Sequence, residues 1–168
     1  MTSNSDAATR RTALLGLAGA VLAFSNPVLA QTAAHAALGK ALDFDASTWA
    51  RLLRQGPRPA AYVFTTTYCS TCPDVFEQLH AAIVASRQRV ELAAVVMDAQ
   101  GARALAHAQH YQGANRIYAF DGFEPEIRQA VDPQWRNITP YVVLLGRKGD
   151  PQRSIGPPDA ARVQAWLA

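Results

Sequence analysis

Cysteine is nearly absent from this chain: there are two in 168 residues. Two cysteines cannot build the disulfide framework of a small secreted knot, although they can form one pair. Lysine is equally scarce, occurring only at Lys40 and Lys148, so fourteen of the sixteen cations are arginine. No run of basic residues exceeds two and the net charge is +3, which leaves nucleic acid without a polybasic surface to grip. No apolar run reaches the roughly 18–20 residues a membrane span needs. Internal repeats and low-complexity linkers are missing too. These absences exclude a collagen, a coiled coil, a multi-spanning membrane protein and a nucleic-acid-binding tail. What is present is 49% hydrophobic and 17% charged residues, a balance that buries a core and does not suit a disordered chain. The 33 alanines blur the periodicity of the stretches they fill.

The first thirty residues read as an address. Met1 to Arg11 is polar and ends in the pair Arg10-Arg11, and Ala13 to Phe24 is apolar for twelve residues. Val28 and Ala30 then supply small residues two apart, completing the anatomy of a secretory signal peptide. The arginine pair resembles a twin-arginine export signal, although Ala13 stands where that signal usually carries Phe. Cleavage after Ala30 leaves 14 basic and 12 acidic residues, a net +2, because Arg10, Arg11 and Asp6 are lost. The expectation is a periplasmic protein, where a cysteine pair can be held as a disulfide. Once the leader is removed nothing inserts stably into a membrane, and the mature chain is expected to be a monomer.

The sequence divides into a leader at 1–30, a flexible segment at 31–46 and one domain at 47–168. Asp45 or Ser47 can cap a helix through Trp49 and Leu52 that stops at Gly56-Pro57. Ala60 to Thr65 is a short, β-prone apolar run, read as a buried strand. Val75, Phe76, Leu79, Ile83 and Val84 recur at helical spacing after the cysteines. Val90 to Met97 reads as a second central strand, apolar on both faces as parallel sheets require. A helix over Gly101–Tyr111, a strand over Arg116–Phe120 and a short helix over Pro125–Val131 follow. Tyr141 to Leu145 and Gln152 to Ile155 form a hairpin, and Asp159 caps a last helix. Strands joined by helices early and a hairpin late imply an α/β fold with a central mixed sheet and helices on both faces.

The strongest chemical signal is Cys69-Ser70-Thr71-Cys72, lying between a buried strand and an amphipathic helix. Two intervening residues at a helix start bring both sulfurs within bonding reach. The helix N-terminus also offers unpaired N–H groups and a positive dipole end that favour a thiolate. That environment can bring a Cys pKa from about 8.5 into the range of roughly 3.5–7.5. Cys69, at the lip of the turn, is then the attacking sulfur, and Cys72, inside the helix, the resolving one. Pro73 suits a first turn that has no internal acceptor for an N–H. A static structural disulfide is the bland alternative, but closing so short a loop stabilises weakly. A zinc site needs two further ligands, and there is no second C-x-x-C.

On these residues the chain resembles the thioredoxin superfamily, and within it the exported TlpA- and ResA-like thiol–disulfide oxidoreductases. The resemblance runs from about Trp49 to Ala168. It is carried by Tyr62-Val63-Phe64 leading to Cys72, by Thr139-Pro140 before the strand Tyr141 to Leu145, by the turn Gly146 to Asp150, and by Ile127-Arg128 to Trp135-Arg136. It implies a thioredoxin-like fold in which a cis proline, here Pro140, lies against the cysteines. Thr139 would then lend backbone hydrogen bonds to a bound substrate strand. Tyr68 stands where the family usually has Trp, and Thr71 where the branch often has Pro. Tyr68 and Trp135 lie in loops that the resemblance brings near the sulfurs, and are expected to rim the substrate site. Glu77 resembles a glutamate often found shortly after the motif.

The partners implied are thiols and disulfides of other exported proteins, of the cytochrome c or copper-oxidase assembly type, with a membrane thiol donor supplying electrons. Neither a cofactor nor a metal is expected. Ser70 and Thr71 bring no positive charge to the sulfur, which favours a reductant. The alternative on the same fold is a Sco-like copper(I) chaperone, since two thiolates capture Cu(I). Those proteins, however, space their cysteines by three and add a late histidine, whereas this chain has no His beyond His110. His80, His107 and His110 read as helix-surface residues, and Asp98, Asp121 and Glu124 as solvated strand-end and loop acids. A peroxidase site would want a proline between Thr66 and Cys69, where Thr67 and Tyr68 stand.

Overall fold

A computed structural model describes residues 39–168. The leader, its arginine pair and His35 lie outside the described residues. The chain runs β1 (Leu42–Phe44), α1 (Thr48–Gln55), β2 (Ala60–Thr65), α2 (Cys72–Ser86), β3 (Glu91–Val96) and α3 (Gly101–His107). A 3₁₀ turn at Ala108–His110 follows, then β4 (Arg116–Phe120), α4 (Glu124–Val131), β5 (Tyr141–Leu145), β6 (Gln152–Ile155) and α5 (Ala160–Leu167).

The strands form a sheet in the order β1-β4-β3-β2-β5-β6. β1, β4, β3 and β2 are parallel neighbours, whereas β5 runs antiparallel to β2 and to β6. β2 is buried along its whole length, as an apolar run covered on both faces must be. The α/β architecture expected from the sequence, a mixed sheet flanked by helices, is therefore what forms. On one face α2 and α5, with the α3 turn, cover Ala61, Val63, Ala94, Val96 and Val142. On the other, Trp49 and Leu52 of α1 and Ile127 and Val131 of α4 pack against Tyr62, Phe64, Tyr118 and Tyr141.

Local chemistry sets the helix starts. Asp45 Oδ1 accepts from the Thr48 N–H at 2.7 Å and the Ser47 N–H at 2.9 Å, while Thr48 Oγ1 accepts from the Asp45 N–H at 3.1 Å. This reciprocal cap satisfies donors that the first turn of α1 leaves orphaned. The Ser47 hydroxyl and then the Thr48 hydroxyl hold the Asp45 carboxyl below its ordinary value. Asp159 caps α5 in the same way, accepting from the Arg162 N–H at 2.8 Å.

One boundary differs from expectation. Of the segment read as flexible, Leu42–Phe44 is a paired strand whose register sets Leu42 beside Tyr118 and Phe44 beside Phe120. Three residues are too few for a period of two to register in sequence. The strand exists because Phe44 is wholly buried among the aromatic rings of β2 and β4.

Candidate functional site

β2 ends at Thr65 at the C-terminal edge of the sheet, and Thr66 and Thr67 continue from it into the cysteine turn. The Cys69 N–H donates to the Thr66 carbonyl at 3.1 Å, and the Cys72 N–H to the Cys69 carbonyl at 3.3 Å. α2 then starts at Cys72 with Thr71 as N-cap, and no side-chain cap bond is made. Cys69 therefore sits in the turn that enters the helix, and only Cys72 occupies the first helical turn. The sulfurs are joined at 1.94 Å, with a Cα–Cα separation of 5.5 Å. The two differ in access. Cys72 is fully buried, whereas Cys69 is half-buried next to Tyr68, which is 78% exposed. An incoming group can meet Cys69 and not Cys72.

The second strand of the site is β5. It pairs antiparallel with β2, Tyr141 lying opposite Phe64. Continuing that register by one and two residues sets Pro140 and Thr139 beside Thr65 and Thr66, the base of the cysteine turn. The Thr139–Pro140 peptide bond is cis. The Pro140 carbonyl is taken by the Gly156 N–H at 2.8 Å, and Thr139 is half-buried.

Trp135 departs from expectation. It does not rim the sulfurs: it is 5% exposed and belongs to the core on the face opposite Cys72. Its ring stacks on Tyr141 at 4.3 Å and meets Phe64 edge-on at 5.0 Å, while Nε1 donates to the Ile138 carbonyl at 3.0 Å. A tryptophan in a loop folds inward when its one polar atom finds an acceptor there. The exposed apolar residue of that loop is Ile138, two positions before Pro140. Tyr68 alone of the expected aromatic pair faces solvent. Glu77 is exposed as well, on the outer face of α2.

Several residues that read as surface in the sequence turn out to hold the cysteine turn in place. Asp98, at the end of β3, accepts from the Thr67 N–H at 2.8 Å and from the Thr67 hydroxyl at 2.6 Å. Thr65 Oγ1 donates to the Thr66 carbonyl at 3.2 Å and lies 2.6 Å from the Tyr111 hydroxyl. Tyr111 is fully buried against Phe76 of α2, and burial pushes its hydroxyl pKa up to about 12. His107 Nε2 lies 3.3 Å from the same hydroxyl. Thr66 Oγ1 is buried with no hydrogen-bond partner. The signal in the sequence was the run Thr65-Thr66-Thr67 at the end of an otherwise apolar strand. Its partners lie 31 and 46 residues away and carry no local mark.

No protein-family model and no curated protein matches the sequence. Solved structures do. The chain is similar to a thioredoxin-related protein from Neisseria meningitidis serogroup B, with a TM-score of 0.50 and 13% identity over 68% of this chain and 87% of that one. The fold is thioredoxin-like. A thiol-disulfide isomerase from Corynebacterium glutamicum (TM-score 0.48, 15% identity, 66% and 78% of the two chains) is also similar. So is a secreted Mycobacterium tuberculosis disulfide oxidoreductase (TM-score 0.45, 20% identity, 64% and 81%). The thioredoxin fold places the C-terminal ends of β2 and β3, the entry to α2 and the loop before β5 at one edge. That edge holds the disulfide.

Proposed function

We propose that this protein is a thiol–disulfide oxidoreductase whose working couple is Cys69–Cys72, with Cys69 attacking and Cys72 resolving. The observation that carries the reading is the asymmetry of access between a half-buried Cys69 and a fully buried Cys72 at the start of α2, on a thioredoxin fold. In the reducing direction the Cys69 thiolate attacks one sulfur of a partner's disulfide. A Cys69–partner disulfide forms and the partner's other sulfur leaves as a thiolate, which takes a proton. The Cys72 thiol then loses its proton and attacks Cys69 Sγ. The Cys69–Cys72 bond forms, and the second partner sulfur leaves and is protonated. Two electrons pass to the partner with one proton from Cys72 and one from solvent, the one Cys69 gave up on ionising, and a dithiol donor restores both thiols. Tyr68, with the Thr139 backbone and Pro140, offers an extended partner strand a place beside Cys69.

The net direction follows from charge. The first turn of α2 carries Asp74 and no cation, so nothing there over-stabilises a Cys69 thiolate. A reductant results, with a potential nearer about −270 mV than the about −120 mV of a strong oxidant. The setting is the periplasm and the partners are exported proteins with cysteines to be kept reduced for haem or copper attachment.

A redox titration against glutathione, run beside a Cu(I) competition assay, tests this. Reversible cycling below about −170 mV is expected, and a higher value makes the protein a disulfide donor instead. Tight Cu(I) capture with marginal disulfide exchange makes it a copper carrier. Cys72→Ser should trap mixed disulfides through Cys69, whereas Cys69→Ser should trap none. N-terminal sequencing of exported material should begin near Gln31, and replacing Arg10-Arg11 by Lys-Lys blocks export if the twin-arginine route is used.

A further inference from the structure

No run of basic residues in the sequence exceeds two, yet the fold gathers most of the domain's cations at one edge. That edge is where the parallel strands start and β5 ends. The register sets Ala60 beside both Glu91 and Leu145, and Arg116 beside Ala93. Hydrogen bonds tie the loops there together. Arg58 donates to the Gly146 carbonyl at 3.1 Å and to the Leu53 carbonyl at 3.2 Å, and Arg147 donates to Gln88 Oε1 at 2.7 Å. Arg54 stands in the last turn of α1, and Arg87 and Arg89 follow α2. Lys148 sits beside Arg147 in the β5–β6 turn, and continuing the β1 register by two residues puts Lys40 beside Arg116. All of these cations except Arg58 are exposed.

Little negative charge answers them. Among the described residues, the side-chain acids of this edge are Glu91, taken by Arg116 at 3.1 Å, and Asp150. The disulfide edge lies about 17 Å away along β2 and is the reverse. Asp74, Asp98 and Asp121 are exposed there, while Arg51, Arg128 and Arg162 are ion-paired with Asp45, Glu124 and Asp159. That distance exceeds the roughly 8 Å over which charge is felt in physiological salt, so the two edges act separately. Arg54 has a local reason for its place, since a cation suits the negative end of a helix. Arg147 and Lys148 lie in a turn and cap no helix.

We propose that this basic edge is an electrostatic docking surface that seats the domain, reversibly, on anionic phospholipid headgroups, with the disulfide on the far edge toward the aqueous phase. The inference stands apart from the redox reading, because docking uses neither cysteine. Each cation close to an anionic bilayer is worth about fivefold in affinity, and several here act together. The make-up of the patch favours lipid over other polyanions. Of the exposed large apolar side chains only Val84 lies here, whereas Tyr68 and Phe123 stand at the disulfide edge. Single-stranded nucleic acid is held by rings on which it can stack, and a stable protein interface by an apolar, aromatic centre. This edge offers neither. Fluid headgroups require neither, because they rearrange beneath a dispersed set of charges. Residues 1–38, with the apolar run Ala13 to Phe24, also join the domain at this edge, so a chain held at a membrane through them presents it first.

The test is co-sedimentation of the protein, as recovered from cells, with vesicles of phosphatidylglycerol and phosphatidylcholine in equal parts, beside vesicles of phosphatidylcholine alone. Binding should require phosphatidylglycerol and be lost in about 1 M salt, where the screening length falls to about 3 Å. The variant Arg54→Gln/Arg87→Gln/Arg89→Gln, which changes exposed side chains only, should bind about tenfold more weakly or worse. A control with the same loss of charge at the other edge, Arg103→Gln/Arg136→Gln/Arg162→Gln, should bind like the wild type. Vesicle-bound protein should be reduced by glutathione as fast as free protein. Equal weakening in the two variants reduces the effect to net charge and overturns the proposal, as does binding that ignores phosphatidylglycerol. Slower reduction on vesicles makes the disulfide edge the seated one and refutes it too. Absence of binding to the anionic vesicles refutes it and hands the edge to an acidic protein. If the first variant does not fold, the lipid and salt dependence of the wild type and its rate of reduction still decide. Disulfide exchange by the first variant should be unchanged, and a protein that docks but exchanges no disulfide sinks the redox reading alone.

Discussion

The two faces of the sheet are built on different terms. The face under α1 and α4 is aromatic: Phe44, Trp49, Tyr62, Phe64, Tyr118, Phe120, Trp135 and Tyr141 meet one another edge-on or stacked. The face under α2 and α5 is lined mostly by small aliphatic residues, among which Cys72 is buried. At its edge a polar chain of Thr65, Tyr111 and His107 enters the core. Ring packing resists compression and shear, since each large side chain fills a space that no smaller one closes. The aliphatic face carries the disulfide and the hydrogen bonds behind it. The comparison teaches a division of labour in which one side holds the sheet and the other holds the sulfurs.

The largest effect expected from breaking that division is on function alone. Cys69→Ser should abolish disulfide exchange in an insulin-reduction or mixed-disulfide assay. It should cost only about 2 kcal/mol or less in urea unfolding, because the bridged loop spans a sequence separation of three. A loss of stability well beyond that would make the bridge structural and erase the contrast. Next comes Phe64→Ala on the aromatic face, where rings of Phe44, Trp49, Phe120, Trp135 and Tyr141 surround the site. Chemical denaturation should show a loss of roughly 3–5 kcal/mol. Less than about 1.5 kcal/mol would mean that face can repack freely.

Smaller again, Asp98→Ala removes two acceptors from Thr67 and so loosens the entry to the cysteine turn. About 1–2 kcal/mol is expected, with faster amide exchange over Thr67–Cys69 than over β3. The smallest effect is expected at the start of α1. Asp45→Ala should cost about 1 kcal/mol at neutral pH through loss of the α1 cap. The Asp45 carboxyl is held below its ordinary value in the fold, so its contribution is present above the unfolded carboxylate pKa. It disappears as pH falls through the lowered folded value. Thermal melts of wild type and variant should therefore converge in acid, and a gap that persists there would mean the carboxylate is not the cap.

Much of this was legible in the chain before any fold was drawn. The C-x-x-C, the apolar strand before it and the helical period after it located the disulfide and the elements that flank it. The proline and aspartate signals located α1, α2 and α5 to within a few residues. Two misreadings share a cause. Leu42–Phe44 is too short to show a period, and Trp135 sits in an irregular loop, so neither carried a local pattern that could say where it would pack. Tertiary contact overrode the loop reading in both cases.

The sequence by itself determined the cysteine pair and the alternation of strand and helix, because both rest on spacings of a few residues that local geometry converts directly into structure. Only the tertiary structure decided that Tyr68 and not Trp135 lies exposed beside the disulfide, and what stands behind the turn. Asp98 reaches Thr67 across 31 residues and Tyr111 reaches Thr65 across 46. Hydrogen bonds of that kind exist only once crossover helices have laid β3 beside β2. A polar side chain far along a chain shows nothing of whether it will end in water or against a cysteine.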